Sequence, residues 1–594
     1  MPALPAVVLD DLFFDWPDGS PVLTNLTATF GRGRTGLIGA NGAGKSTLLR
    51  LIAGRLAPTS GTVTVHGTVD YLPQHLTLEV DATLADLLGV RGVLDAVHAI
   101  EAGDPDPALF DLVGQDWDIE ARAIAALGEA GLPTGLDRQV ATLSGGETVL
   151  AALVGIRLRG ASVALLDEPT NNLDADSRDR LHQLVRSWRG TLITVSHDLE
   201  LLELMDATAE LRDGSLAVFG GPYSEYRIAL EREQEAARQS LRTAEQTLRI
   251  ERRQRIEAEQ KIAHAERQGR KDKANRRYVT AAINDRRNSA EKSAGARRGL
   301  LDARIQAAAS AVEQAEARVR EDDRIRVDLP DPAVPTGRRL AELTGADGRT
   351  VVIQGPERIA LTGPNGVGKT TLVEQLVGEG RSSQSAPRGV VLHLAATSIP
   401  DHDPESQGRA MSGTGADPLV STLRQAQRRP GSTSRNGAVQ ATARAFTDRV
   451  GYLPQRLDGL DDSLSLLASV QAAAPSQSPT VLRNRLARFL LRGDAVGRPV
   501  ATLSGGERFR LALARVLLAE PPAQLLVLDE PTNNLDLVSV QQLVDALTAY
   551  RGALLIVSHD RGFLARLGLD GELALDQEGR LTRCATPSSG EPAR

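Results

Sequence analysis

The 594 residues include a single cysteine, Cys584, so neither a disulfide framework nor a multi-cysteine metal site is available. A reducing, cytoplasmic setting is the natural expectation. No stretch of about 18 apolar residues occurs, so the sequence predicts no membrane span. The opening MPALPAVVLDDLFFDWPDG has neither a basic start nor an apolar run, and does not read as a secretory signal. Excess positive charge is also missing. The net charge is −7, which argues against indiscriminate nucleic-acid binding by the whole molecule. What is present is globular material, 41% hydrophobic and 24% charged. That suffices for packed cores and excludes wholesale disorder, and the length allows about three to four domains.

Self-similarity organises the rest. A glycine-rich loop with Gly39, Asn41, Gly42, Gly44, Lys45, Ser46 and Thr47 recurs with Gly363, Asn365, Gly366, Gly368, Lys369, Thr370 and Thr371. Tyr-Leu-Pro-Gln ends at Gln74 and again at Gln455. Leu-Ser-Gly-Gly-Glu places Ser144, Gly145 and Gly146 in one copy and Ser504, Gly505 and Gly506 in the other. Leu-Asp-Glu-Pro-Thr-Asn-Asn-Leu-Asp runs from 166 to 174 and from 528 to 536, and Val-Ser-His-Asp ends at Asp198 and Asp560. Glu168 to His197 and Glu530 to His559 are both 29 residues apart. Five motifs in one order, twice, define two copies of one domain, expected at 1–224 and 329–594 and joined by a linker over 225–328.

Each glycine-rich loop follows an apolar strand and opens a helix, the context a phosphate-binding P-loop requires. Its backbone N–H groups curl round phosphates at a helix N-terminus. Lys45 and Lys369 are expected to reach the β- and γ-phosphates, and Ser46 and Thr370 to offer hydroxyls to Mg²⁺. The apolar runs 163–166 and 525–528 read as buried parallel strands. Each ends in Asp-Glu at the carboxyl edge where such sheets place ligands. Asp167 and Asp529 suit a Mg²⁺ shell, and Glu168 and Glu530 are placed to orient or deprotonate water. His197 and His559, each after an apolar strand, can meet a γ-phosphate as neutral imidazoles.

These residues resemble ATP-binding cassette (ABC) ATPases, Leu-Ser-Gly-Gly-Glu matching that family's signature motif, over about four-fifths of the chain. The resemblance implies an α/β fold of two P-loop nucleotide-binding domains that close head to tail, with ATP and Mg²⁺ held between one domain's P-loop and the other's signature. Site one then joins Gly39 to Thr47, Gln74, Asp167, Glu168 and His197 with Ser504, Gly505 and Gly506. Site two joins Gly363 to Thr371, Gln455, Asp529, Glu530 and His559 with Ser144, Gly145 and Gly146. The glutamines 74 and 455 are implied to share the metal shell. Trp16 occupies the position of an adenine-stacking aromatic, with a core role as the alternative. The matching stretch 340–348 has no aromatic, so weaker binding at site two is expected. The first signature helix also lacks basic residues corresponding to Arg508 and Arg510.

Between the repeats, apolar residues fall at Ala237, Leu241, Ala244, Leu248, and then at Leu301, Ile305, Ala308, Val312, Ala315 and Val319. The second run has heptad spacing, which predicts an antiparallel helical hairpin with its tip at 267–297, around Gly269 and Gly295. Residues 225–326 carry 25 Lys and Arg against 18 Asp and Glu, a net +7 that lies entirely within 266–298. A basic tip on an acidic body is the footprint of local phosphate-backbone contact, with a solvated coiled coil as the bland alternative.

Two cassettes in one chain, no membrane segment and a charged helical linker resemble the ABC-F subfamily. That resemblance implies a monomer with an intramolecular cassette pair and a ribosome partner, the linker entering beside rRNA and tRNA at the E site. It leaves open a translation factor or an antibiotic-resistance protein, the long linker leaning towards the latter. An exporter's ATP-binding subunit with a separate membrane partner, and a DNA-repair or chromatin ATPase, are the competing readings. The basic hairpin argues against the first. The absence of cysteine-rich modules and of longer coils argues against the second. Only 70 residues separate Gln74 from Ser144, so a large extra arm in the first cassette is not expected. Residues 382–447, rich in Ser, Gly, Pro and Arg, read as a flexible insertion, with contact to rRNA a possible role, and 585–594 as a disordered tail.

Overall fold

The computed structural model describes residues 6–74, 76, 81–171, 173–274, 280–320, 329–378, 441–455, 457, 459–533 and 535–584, with side chains omitted at 265, 266, 268–295 and 494. The chain divides into two compact units, Met1–Phe219 with Arg324–Arg594, and Gly220–Asp323. The first unit contains the same architecture twice.

In the first copy, Val7–Asp15 is the middle strand of a three-stranded antiparallel sheet, flanked by Pro21–Phe30 and Ser60–Val65. A six-stranded sheet runs in the order Val69–Leu72, Val163–Asp167, Thr191–Val195, Gly33–Ile38, Ala207–Arg212, Ser215–Phe219. All its pairings are parallel except the last, a hairpin. The second copy repeats this order with Val450–Leu453, Leu525–Asp529, Ala553–Val557, Arg358–Thr362, Gly571–Leu575 and Leu581–Cys584. Val163–Asp167, Thr191–Val195, Leu525–Asp529 and Ala553–Val557 are buried at every position. Continuous Val, Ile and Leu without alternation is what a sheet covered on both faces selects. In each copy the glycine-rich strand lies next to the histidine-bearing strand, so the loops that follow them gather at one carboxyl edge.

Two expectations about extent need correction. The insertion does not reach residue 447. Thr442–Ala445 pairs with Arg339–Thr344 and completes the second three-stranded sheet, because a sheet edge there gains a full ladder of hydrogen bonds. Residues 382–440 of that insertion and the tail 585–594 lie outside the described residues. The hairpin tip is also shorter than 267–297. One helix runs Tyr223–Ala274 and the next Thr280–Glu316. Gly269 and Gly295 are therefore helical, a cost of only about 1 kcal/mol each in so long an element. The side chains of the basic tip lie outside the described residues. Between Gln74 and Ser144 the first cassette carries a short helical pair, Arg91–Glu101 and Pro107–Val113, with its own small core of Ala96, Val97 and Val113.

The second unit is the hairpin. The heptad positions Ala237, Leu301, Ala308 and Ala315 are buried, and Leu241, Ala244, Leu248, Ile305, Val312 and Val319 half-buried. Arg255 bridges the helices to Asp302 at 2.9 Å. At the base, buried Gln234 accepts from the Arg320 N–H at 2.7 Å. At 1.5 Å per residue the 52-residue helix is about 78 Å long.

Candidate nucleotide sites

The glycine-rich loops have a conformation that only glycine supports at their first residue. Gly39 and Gly363 hold φ of 152° and 143°, and a Cβ would lie 2.3 Å from the Leu211 carbonyl oxygen and 2.2 Å from that of Leu575. Gly44, at φ 99°, caps the helix Lys45–Ile52. Buried Lys45 donates to the carbonyls of Gly39 (2.8 Å) and Ala40 (3.0 Å), curling the loop round its own ammonium. Lys369 does the same with Gly363 (2.7 Å) and Pro364 (2.9 Å). Burial lowers both lysine pKa values, while carboxylates opposite pull them back up: Glu168, Asp536 and Asp167 for Lys45, and Glu530, Asp529 and Asp174 for Lys369.

The carboxyl edge supplies the acids. Ser46 Oγ donates to Asp167 Oδ1 at 3.0 Å, and Tyr71 OH to Asp167 Oδ2 at 3.0 Å. Burial raises the carboxyls of Asp167 and Asp529, against the pull of the Ser46 and Tyr71 hydroxyls on the first and of the Thr370 hydroxyl and Lys369 on the second. One residue on, Glu168 N–H still bonds the Val195 carbonyl (2.9 Å) and Glu530 N–H that of Val557 (2.8 Å). The chain then turns through the left-handed region, at φ 51° for Glu168 and 44° for Glu530. This aims each carboxylate at the histidine of the adjacent strand. His197 Nε2 lies 3.0 Å from Glu168 Oε1, and His559 Nε2 lies 3.4 Å from Glu530 Oε1. Burial pushes Glu530 up to about 7 and His559 down to about 4, with Lys369 opposing the first shift and adding to the second. Glu168 Oε2 and His197 Nδ1 are buried without a protein hydrogen bond among the described residues.

The signature residues are organised as helix starts. Ser144 and Glu147 form a capping box, with Ser144 N–H to Glu147 Oε2 at 2.7 Å and Glu147 N–H to Ser144 Oγ at 3.2 Å. Ser504 and Glu507 repeat it. The glutamate of the motif is thus structural. Gly145 and Gly505 are exposed at the first helical positions, and a Cβ on Gly146 would meet Ser177 Oγ at 2.6 Å. Where the second signature helix has Arg508 pairing with Asp462 (2.7 Å), the first has Thr148 bonding back to the Ser144 carbonyl (2.9 Å). Gln74 and Gln455 stand exposed beyond their strands, and in the first site the bond to the aspartate comes from Tyr71. Trp16 is 38% exposed, edge-on to Phe14 at 5.1 Å, in the turn between the first two strands, so it is not buried core. Thr47 is buried, Asn365 and Gly366 are exposed in the second loop, and Thr370 and Thr371 are exposed in the first turn of the helix Lys369–Gly378.

Two functional residues escaped the motif reading, Asp174 and Asp536. Each uses Oδ1 to cap its own helix, at Ser177 N–H (3.0 Å) and Ser539 N–H (2.7 Å). Each turns Oδ2 to the other cassette: Asp536 accepts from Asn41 N–H at 2.9 Å and Asp174 from Asn365 N–H at 3.4 Å. The two P-loops are therefore tied reciprocally to the opposite cassette. The clue was available, since both aspartates stand six residues after the glutamate in each repeat.

The family described as ABC transporter matches residues 23–171 and 411–533. The tylosin resistance ATP-binding protein TlrC of Streptomyces fradiae is 31% identical over 92% of this chain and 94% of its own. The energy-dependent translational throttle protein EttA of Mycobacterium tuberculosis is 28% identical over 92% of this chain and 87% of its own. The probable ATP-binding protein YheS of Escherichia coli K12 is 27% identical over 91% of this chain and 75% of its own. With the duplicated P-loop sites and the helical hairpin, these likenesses place the chain among ABC ATPases. It belongs to the ABC-F family of tandem-cassette proteins. Among the described residues no helix is long and apolar enough to cross a membrane.

Proposed function

We propose that the protein hydrolyses ATP at two composite sites between its cassettes and acts on the ribosome through the hairpin 223–316, as a translation factor or in protection against ribosome-targeting antibiotics. The observation that carries this reading is the reciprocal pair of Asp536–Asn41 and Asp174–Asn365 bonds, which makes each P-loop part of an interface with the other cassette. Lys45 and Lys369 bind the β- and γ-phosphates. Ser144 to Gly146 and Ser504 to Gly506 offer backbone N–H groups from the opposite cassette. Glu168 and Glu530 hold and accept a proton from the attacking water, and His197 and His559 orient them. Ser46, Thr370, Asp167 and Asp529 present hydroxyl and carboxylate oxygens, the hard donors Mg²⁺ takes, and the buried orphan atoms Glu168 Oε2 and His197 Nδ1 suit a polar occupant. Bound there, Mg²⁺ would neutralise phosphate charge. Gln74 and Gln455 would add amide oxygens to that shell, and Trp16 would stack on adenine at site one.

The names of the relatives support the ribosomal assignment, one being a translational throttle and another a tylosin resistance protein. The proposal includes a cytoplasmic monomer whose hairpin meets rRNA and tRNA near the E site. Replacing Glu168 and Glu530 together with Gln keeps ATP binding and stops hydrolysis, so ATP should drive the variant into the ribosomal fraction on a sucrose gradient. A variant that stays at the top of the gradient with ATP and Mg²⁺ rejects the ribosomal role.

A further inference from the structure

After Asp174 the first cassette carries Arg178 and His182, one helical turn apart. The matching positions after Asp536 are Val540 and Val544. Val540 is buried, so an apolar residue fits the fold at this place. A buried guanidinium is costly unless paired, and Arg178, with its side chain 15% exposed, has partners in both cassettes. Its Nε lies 3.4 Å from Asp198 Oδ2, and its guanidinium donates to the main-chain oxygen of His559 at 3.4 Å. Asp198 directly follows His197 of site one, and His559 is the histidine of site two. One side chain therefore touches the turn behind each site.

The surrounding charges explain why a cation belongs there. Asp198 caps its helix through Leu201 N–H (3.1 Å) and has His182 Nε2 at 3.6 Å; Glu200 lies 3.9 Å from His182 Nδ1. Burial would raise the Asp198 carboxyl, but His182 and Arg178 hold it below the usual range. Across the interface burial raises Asp560, while Arg178 pulls it down against Asp198 and Glu200. Asp179, His182 and Glu200 bring ligand-type atoms within 4.8 Å. Arg561 of the other cassette, 3.8 Å from Asp179, supplies positive charge there together with Arg178, so we assign no metal.

We propose that Arg178 is a positioning residue that joins the His197–Asp198 turn of one ATP site to the His559 turn of the other, so that the two sites turn over together. The inference rests on both sites being ATPase sites; absence of hydrolysis by the unaltered protein would refute that reading separately. Arg178→Val copies the second cassette's own residue, and Arg178→Lys keeps the charge without the fork. In the full chain with ATP and Mg²⁺, Arg178→Val should lower kcat by about tenfold with little change in KM, and Arg178→Lys should restore part of the loss. With Arg178 present, Glu168→Gln should stall both sites. In the Arg178→Val background the same change should remove only about half of the remaining rate. A Glu168→Gln effect that is the same in both backgrounds overturns the proposal. So does a kcat loss that follows the melting temperature alone and is equal for the Val and Lys variants.

Discussion

Glu168 and Glu530 each hold a backbone conformation that costs an ordinary side chain about 1–2 kcal/mol. The same strain in both repeats, at the residue after a buried strand, comes from the geometry that aims the carboxylate at its histidine. Glycine adopts this conformation freely. Glu168→Gly and Glu530→Gly should therefore abolish hydrolysis at their sites yet raise the melting temperature by about 2–4 °C each. A calorimetric scan showing both variants less stable than the parent would disprove the strain. Motif matching located these glutamates but not their φ values, because left-handed geometry in a non-glycine residue leaves no mark in composition. Asp174 and Asp536 were similarly legible as repeated residues while their partners were not, since Asn41 lies 495 residues from Asp536.

At the scale of elements, the hairpin was readable from its heptad spacing and the strands from their unbroken apolar runs. Its tip was misplaced because glycines inside a long helix look like a turn, while cooperative helix propagation absorbs their cost. The seam gives a direct check. Ala308 is 8% exposed and belongs to the row that packs the two helices together. Ala308→Glu buries an unpaired carboxylate there, and should destabilise the hairpin by about 2 kcal/mol. Hydrogen exchange should quicken along 223–264 and 296–316 while the cassette strands keep their protection; unchanged exchange in the hairpin would show that the seam contributes nothing. The strand Thr442–Ala445 was read as part of the insertion because its four short residues resemble their surroundings. Only pairing with Arg339–Thr344 distinguishes it.

At the scale of the whole molecule, two aspartates carry hydrogen bonds from one cassette to the other. Burial works to raise Asp174 and Asp536, but helix-cap and cross-cassette N–H donors outweigh it and leave both below their usual 3.8. A carboxyl whose folded pKa is depressed contributes stability in full above its unfolded value, and loses it as pH falls through the folded one. Contact between the cassettes should therefore be constant from neutrality to about pH 5 and weaken as the pH falls below 3.8. Cross-linking between cysteines introduced in the two cassettes, compared with the Asp174→Asn, Asp536→Asn double variant, reads this out. An acid response identical in the two proteins would assign the weakening to other groups.

The amino-acid sequence by itself determined the duplication, the phosphate-binding chemistry and the helical linker, because these rest on local spacing: loop to helix, strand to carboxylate, heptad to seam. Which residues of one cassette contact the P-loop and the turns of the other was decided by tertiary structure alone. Asp174 with Asn365, Asp536 with Asn41, and Arg178 with His559 are contacts across 191, 495 and 381 residues. No periodicity encodes such pairs, since they form only when two separately folded sheets bring their carboxyl edges and the turns beyond them face to face.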